Sequence, residues 1–122
     1  MTLVADSSLG VTQTMTSLPI RYSVVVPIYG NRDSMAALVG RLVAMSERRE
    51  GGLEGVFVVD GSPDDSLEIL RELLTAGTLE AQVLSHSRNF GSAAAVRTGL
   101  TVARGDYLAV MAADLQEPAE VV

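Results

Sequence analysis

The sequence predicts an α/β fold of the Rossmann-like kind, with three layers, α/β/α, around a parallel sheet. Three observations predict it. Apolar, β-branched runs alternate with helical patterns from residue 22 onward, giving β-α-β-α-β-α-β. The strands are almost continuously apolar, as a sheet covered on both faces requires. Strands joined through helices run parallel with right-handed crossovers, so all four end at one edge of the sheet.

The elements follow in order. "YSVVVP", Tyr22 to Pro27, is a β-branched strand that Pro27 ends. "SMAALVGRLVAM" places Met35, Leu38, Val39, Leu42 and Met45 on one helical face. "GVFVVD", Gly55 to Asp60, is the second strand, and "SLEILRELL" puts Leu67, Leu70, Leu73 and Leu74 on one side of the second helix. "AQVLSH" is the third strand. "SAAAVRTGLTVARG" is the third helix, with Ser92 expected as its N-cap and Gly105 as its C-terminal stop. "YLAVMA" is the fourth strand, and "EPAEVV" begins another element. Residues 1–21, rich in Ser, Thr and Gly, read as a disordered leader without the basic start and apolar block of a secretory signal.

Composition narrows the chemistry. The 122 residues suit one domain, and 48% hydrophobic with 20% charged residues is an ordinary globular balance. A net charge of −6 argues against nucleic acid as a partner. There is no cysteine, which excludes disulfides, thiol nucleophiles and cysteine zinc sites and is compatible with a reducing, cytoplasmic setting. All nine cations are arginine, so Schiff-base chemistry and the lysine of a Walker phosphate loop are absent. The single histidine, His86, cannot build a histidine metal cluster and reads as a strand-end residue with a satisfied hydrogen bond. No stretch reaches the roughly 18 consecutive apolar residues of a membrane helix.

Ligands of open α/β sheets bind at the carboxyl ends of the strands. The segments there are "IYGNRD", "DGSPDD", "SRNFGS" and "ADLQEP", a mixture of acids and arginines that suits a charged ligand held directly and through a metal. Asp60 leaves the second strand, where its carboxylate can accept from a uracil imide N–H or from ribose hydroxyls. Gly61 permits the turn that follows, and Asp64 or Asp65 can cap the next helix. Arg88 would face the ligand edge and neutralise a phosphate, beside a helix N-terminus able to hold an anion. Asp114 is a lone carboxylate after a buried strand, a common way to hold Mg²⁺ or Mn²⁺ together with substrate phosphates and water.

Taken together, "VVVPIYGN", "VVDGSPDDS", "SRNFGSAAAVRTGL", "ARGDYLAVM" and "ADLQEP", in that order and spacing, resemble the family 2 glycosyltransferases, nucleotide-diphospho-sugar transferases of the GT-A fold. The resemblance runs from Tyr22 to Val122. The "DLQ-x-P" ending looks most like the branch that moves a hexose onto polyprenyl phosphate, such as dolichyl-phosphate mannose synthases and bactoprenol glucosyltransferases. It implies a strand order of 3-2-1-4. It also implies that Pro27, Tyr29 and Asp60 line the nucleoside pocket, that Arg88 lies near the donor diphosphate, and that Asp114 is the metal-binding carboxylate of the Asp-x-Asp motif.

Two departures stand out. Val59 replaces the first acid of the family's "VDDGS", and Ala112 replaces the first acid of its "DAD". The family's ribose contact therefore has no counterpart at Ala112, and the metal would rest on Asp114 and the diphosphate alone.

The resemblance implies an inverting transfer of a hexose from UDP- or GDP-hexose, with Mg²⁺ or Mn²⁺, to a polyprenyl-phosphate or glycan acceptor. Residues 22–122 would be the nucleotide-sugar-binding half of an incomplete GT-A domain. The acceptor half, its catalytic residue and any membrane association would lie beyond Val122, at the cytoplasmic face of the membrane. The competing reading is a nucleotide-sugar-binding fragment without turnover. A phosphoacceptor receiver needs acids after its first strand and a lysine, and a dinucleotide-binding domain needs G-x-G-x-x-G after that strand. The sequence has neither.

Overall fold

The computed structural model describes residues 2–4, 20–48 and 52–114. Its elements are β1 (Thr2–Val4), β2 (Ile20–Ile28), α1 (Met35–Glu47), β3 (Gly52–Asp60), α2 (Ser66–Leu74), β4 (Glu80–His86), α3 (Ser92–Val102) and β5 (Tyr107–Val110). A short 3-10 turn, Arg32–Ser34, leads into α1.

The strands form one sheet in the order β1-β4-β3-β2-β5. Every neighbouring pair is parallel. The four strands expected from the sequence stand in the expected order 3-2-1-4, as β4, β3, β2 and β5. Helices α1 and α2 cover one face, burying Met35, Leu38, Val39, Leu42, Met45, Leu70 and Leu74 against Val24, Val26, Ile28, Phe57 and Val59. Leu67 and Leu73 join that core only in part. Helix α3 covers the other face, over β2 and β3. There Gly99 lets it come so close that an added Cβ would lie 2.5 Å from Val25 Cγ1.

Several local expectations change. The leader expected over residues 1–21 contains a strand at each end of that range. Thr2–Val4 extends the sheet beside β4, because a short apolar, β-branched segment can satisfy its backbone along an open edge. β2 starts at Ile20, which pairs with Gly52; residues 5–19 lie outside the described residues. β3 begins at Gly52 rather than Gly55, because its one interruption, Glu54, has buried hydrogen-bond partners and does not break the strand. Helix α3 ends at Val102, before Gly105. Gly105 instead passes the β2 backbone, where a Cβ would meet Ser23 N at 2.8 Å. The element expected at "EPAEVV" lies outside the described residues.

At the β5 edge, Tyr107, Leu108 and Val110 are exposed. The Tyr22 and Tyr107 rings stack at 5.5 Å, with the Arg21 guanidinium 5.5–5.8 Å from both centroids. Among the described residues no helix is long and apolar enough to cross a membrane.

Candidate functional site

The parallel order brings the carboxyl ends of β2, β3, β4 and β5 to one rim, and a cleft of about 350 Å³ opens there. It is lined by Pro27, Ile28, Tyr29, Asn31, Asp60, Asn89, Gly91 and Ser92. Pro27 does not end β2 as expected, because the strand continues in register through Ile28; Tyr29 follows it, about half exposed at the lip. The turn beyond is fixed from two sides. Tyr29 N–H donates to Asn31 Oδ1 at 2.9 Å, and Gly30 N–H donates to Ser62 Oγ at 2.8 Å. The second bond ties the loop after β2 to the loop after β3.

Asp60 is the most constrained group in the cleft. It is almost fully buried, at 2% exposure. Oδ1 accepts Phe90 N–H at 2.9 Å and lies 2.8 Å from His86 Nδ1; Oδ2 accepts Gly91 N–H at 2.9 Å. Burial works to raise the pKa of this carboxyl. The Phe90 N–H, the His86 ring and the Gly91 N–H outweigh it and hold the pKa below the usual value. A carboxylate has about four acceptor positions. With these three donors in place, one position remains, on Oδ2. Asp60 thus holds the loop after β4 as well as facing the cleft. His86 is the satisfied strand-end residue expected from the sequence, its Nε2 lying 2.9 Å from Thr98 Oγ1.

The neighbouring turn follows the same logic. Gly61 takes φ +66°, and a Cβ there would lie 2.2 Å from Arg88 C and 2.3 Å from Asn89 N, so only glycine lets the two loops touch. Of the two candidate caps, Asp64 binds the start of α2. Its Oδ1 accepts Ser66 N–H at 3.1 Å and the hydroxyls of Ser62 and Ser66 at 2.5 and 2.7 Å. Burial of the Asp64 carboxyl is again outweighed by these hydrogen bonds, and its pKa falls to about 2. Asp65 pairs with Arg32, Oδ1 to Nε at 2.6 Å.

Helix α3 opens on the cleft. Gly91, with φ +100°, occupies its N-cap position where Ser92 was expected, because the chain turns there through a conformation that favours glycine. Ser92 is the first helical residue, and no side chain caps this end. The positive end of the helix therefore faces the cleft.

Pro27, Tyr29 and Asp60 are thus brought together. Arg88 and Asp114 sit on the same rim but do not line the cleft. The Arg88 guanidinium lies 4.5 Å over the Phe90 ring. Asp114 is exposed, and among the described residues no three His, Cys, Asp or Glu side chains are grouped to hold a metal. One exposed carboxylate fits Mg²⁺ or Mn²⁺ only when substrate phosphates complete the shell. Asn31 and Ser62 are not singled out by the sequence, and Asn89 reads there only as a turn residue; the signal available was their position in the same post-strand loops.

The sequence matches the Glycosyl transferase family 2 profile over residues 23–122. The chain belongs to this family. Its relatives include the uncharacterized glycosyltransferase YkcC of Bacillus subtilis, 37% identical over 103 residues, with 84% of this chain and 32% of the relative covered. Another is the undecaprenyl-phosphate 4-deoxy-4-formamido-L-arabinose transferase of Pseudomonas savastanoi pv. phaseolicola, 35% identical over 109 residues, with 88% and 32% covered. The chain spans about a third of the length of these relatives. Among solved structures, the mannosyltransferase PcManGT of Pyrobaculum calidifontis, in complex with GDP-Man and Mn²⁺, superposes with a TM-score of 0.72 at 24% identity, over 82% of this chain and 29% of that one. S. aureus TarS 1-349 in complex with UDP gives 0.69 at 24% identity, over 78% and 28%. At this identity the likeness is one of fold.

Proposed function

We propose that this chain carries the donor-binding half of a hexosyltransferase that moves a sugar from UDP- or GDP-hexose to polyprenyl phosphate, at the cytoplasmic face of a membrane. The observation that carries the reading is the cleft where Tyr29, Asp60 and the uncapped N-terminus of α3 meet. Each suits one part of a nucleotide sugar. The exposed Tyr29 ring offers a face for the base. The remaining acceptor position on Asp60 Oδ2 suits an imide or ribose donor. The α3 N-terminus suits the diphosphate. Arg88 could reach the diphosphate by leaving the Phe90 ring.

Bound Mg²⁺ or Mn²⁺, held by Asp114 and diphosphate oxygens, would supply neutralisation of the departing charge. In the transfer, an acceptor phosphate oxygen forms a bond to the anomeric carbon as the bond from that carbon to the diphosphate breaks, inverting the centre. The acceptor is already ionised, so this half needs no general base of its own. Binding without turnover is the alternative for a chain a third as long as its relatives. Donor hydrolysis or transfer by the purified 122-residue chain would exclude it.

Calorimetry with UDP and GDP, with and without Mn²⁺, tests the reading. Binding weakened by Tyr29→Ala and Asp60→Ala, with its Mn²⁺ dependence lost in Asp114→Ala, is expected. Absence of binding by either nucleotide would overturn it.

A further inference from the structure

We infer that His86 is a positioning residue for the cleft, selecting which oxygen of Asp60 meets the ligand and holding the loop of residues 88–91 that forms one wall. Its ligand rests on the nucleotide-binding reading above, but its geometry stands apart from it.

Asp60 Oδ1 is filled by two donors, His86 Nδ1–H and Phe90 N–H. Oδ2 receives one, Gly91 N–H. The open acceptor position is therefore on Oδ2, and it is His86 that closes the alternative on Oδ1. Removing its ring N–H would leave two open positions on a carboxylate of a residue only 2% exposed, free to turn away from the loop.

The ring itself is fixed on three sides. An ionised Asp60 only accepts, so Nδ1 carries the proton. In the neutral ring Nε2 then accepts the Thr98 hydroxyl at 2.9 Å. The Phe90 ring packs edge-on against the imidazole with centroids 5.3 Å apart, and the Arg88 guanidinium lies on Phe90. Among the described residues, the charged groups joined to the imidazole are Asp60 on β3 and, across Phe90, Arg88; α3 contributes the neutral Thr98. A chain of contacts runs from α3 through His86 to Asp60 and into the loop backbone. Gly61 presses on the same loop at Arg88 and Asn89.

His86 is the only histidine, so one imidazole appears in a long-range ¹H–¹⁵N spectrum of the whole chain. A ring with Nδ1 protonated is expected, with a shift of its resonances on adding UDP or GDP. His86→Leu should speed exchange of the Phe90 and Gly91 amides about tenfold and weaken nucleotide binding about tenfold, with the melting transition of the core retained. His86→Asn places an amide N–H near the Nδ1 position and should restore both. His86→Gln reaches toward Thr98 instead and should not.

Unchanged Phe90 and Gly91 exchange in His86→Leu, or a ring without a proton on Nδ1, would overturn the inference. If the wild-type chain bound neither nucleotide, the functional reading would fall and the exchange data would still decide the role of His86. Nucleotide binding equal in wild type and His86→Leu would leave the functional reading intact and reject His86 as its positioning residue.

Discussion

Replacing Glu54 by glutamine should cost this fold more than any other change of a single atom in β3. Glu54 is fully buried. Oε2 accepts the Ser23 hydroxyl at 2.6 Å and Arg104 N–H at 2.7 Å; Oε1 accepts Gln82 Nε2 and Arg104 Nε, both at 3.1 Å. The Ser23 oxygen in turn accepts Gly105 N–H at 2.8 Å. One carboxylate thus holds the chain between α3 and β5 onto the centre of the sheet. Each oxygen receives at least one N–H, so the amide introduced by Glu54→Gln sets its NH₂ against a donor in either orientation. A hydrogen bond to a charged group contributes about 1.5–3 kcal/mol. Two such bonds are lost, and the Arg104 side chain, 39% exposed, can turn to water. The expected loss is therefore about 3–4 kcal/mol, below the upper end of the ~3–5 kcal/mol seen when a fully buried pair is broken. In a chain of this length that is a fall in Tm of roughly 12–16 °C. Urea and thermal unfolding of wild type and Glu54→Gln measure it. A loss under about 1 kcal/mol would refute the reasoning, because the carboxylate would then be a replaceable neighbour rather than the hub.

Other outcomes follow from the same geometry. Gly61→Ala meets a left-handed φ, worth about 1–2 kcal/mol, and also displaces the Arg88–Asn89 backbone, so it should lower both Tm and nucleotide affinity. Gly99→Ala drives a methyl into Val25 and should destabilise by about 1–3 kcal/mol without moving the cleft residues, leaving affinity near wild type. Asp64→Ala should destabilise the chain at neutral pH. The native carboxyl titrates near pH 2, below the ordinary aspartate value of 3.8, so it adds stability that is fully present above that ordinary value. The gap between wild type and variant should close as pH falls through about 2, readable from urea midpoints in acid.

Much of the framework was legible because it is written in local periodicity. The five apolar positions of α1 all reach the core, and the β-branched runs of β2 and β3 set a parallel sheet whose rim carries the site. What stayed hidden depends on partners distant in sequence. Glu54 interrupts an apolar run, and nothing nearby reveals Ser23, Gln82 and Arg104 around it. Gly105 looks like a helix stop because the Ser23 backbone it passes is 82 residues away. Thr2–Val4 is too short to carry a pattern, and an edge pairing gives it structure. At the rim, residue type and loop position pointed to Asp60, which lines the cleft. They could not show that its acceptor positions serve His86 and the loop after β4, nor that Arg88 lies on Phe90.

The central claim is that a nucleotide occupies the carboxyl-end rim of the sheet. Titrating UDP and GDP into the ¹⁵N-labelled chain and following backbone amides tests it most directly. Shifts are expected at Tyr29–Asn31, Gly61–Ser62 and Asn89–Ser92. Shifts gathered instead at Tyr22, Tyr107 and Leu108, at the opposite end of the strands, would contradict it.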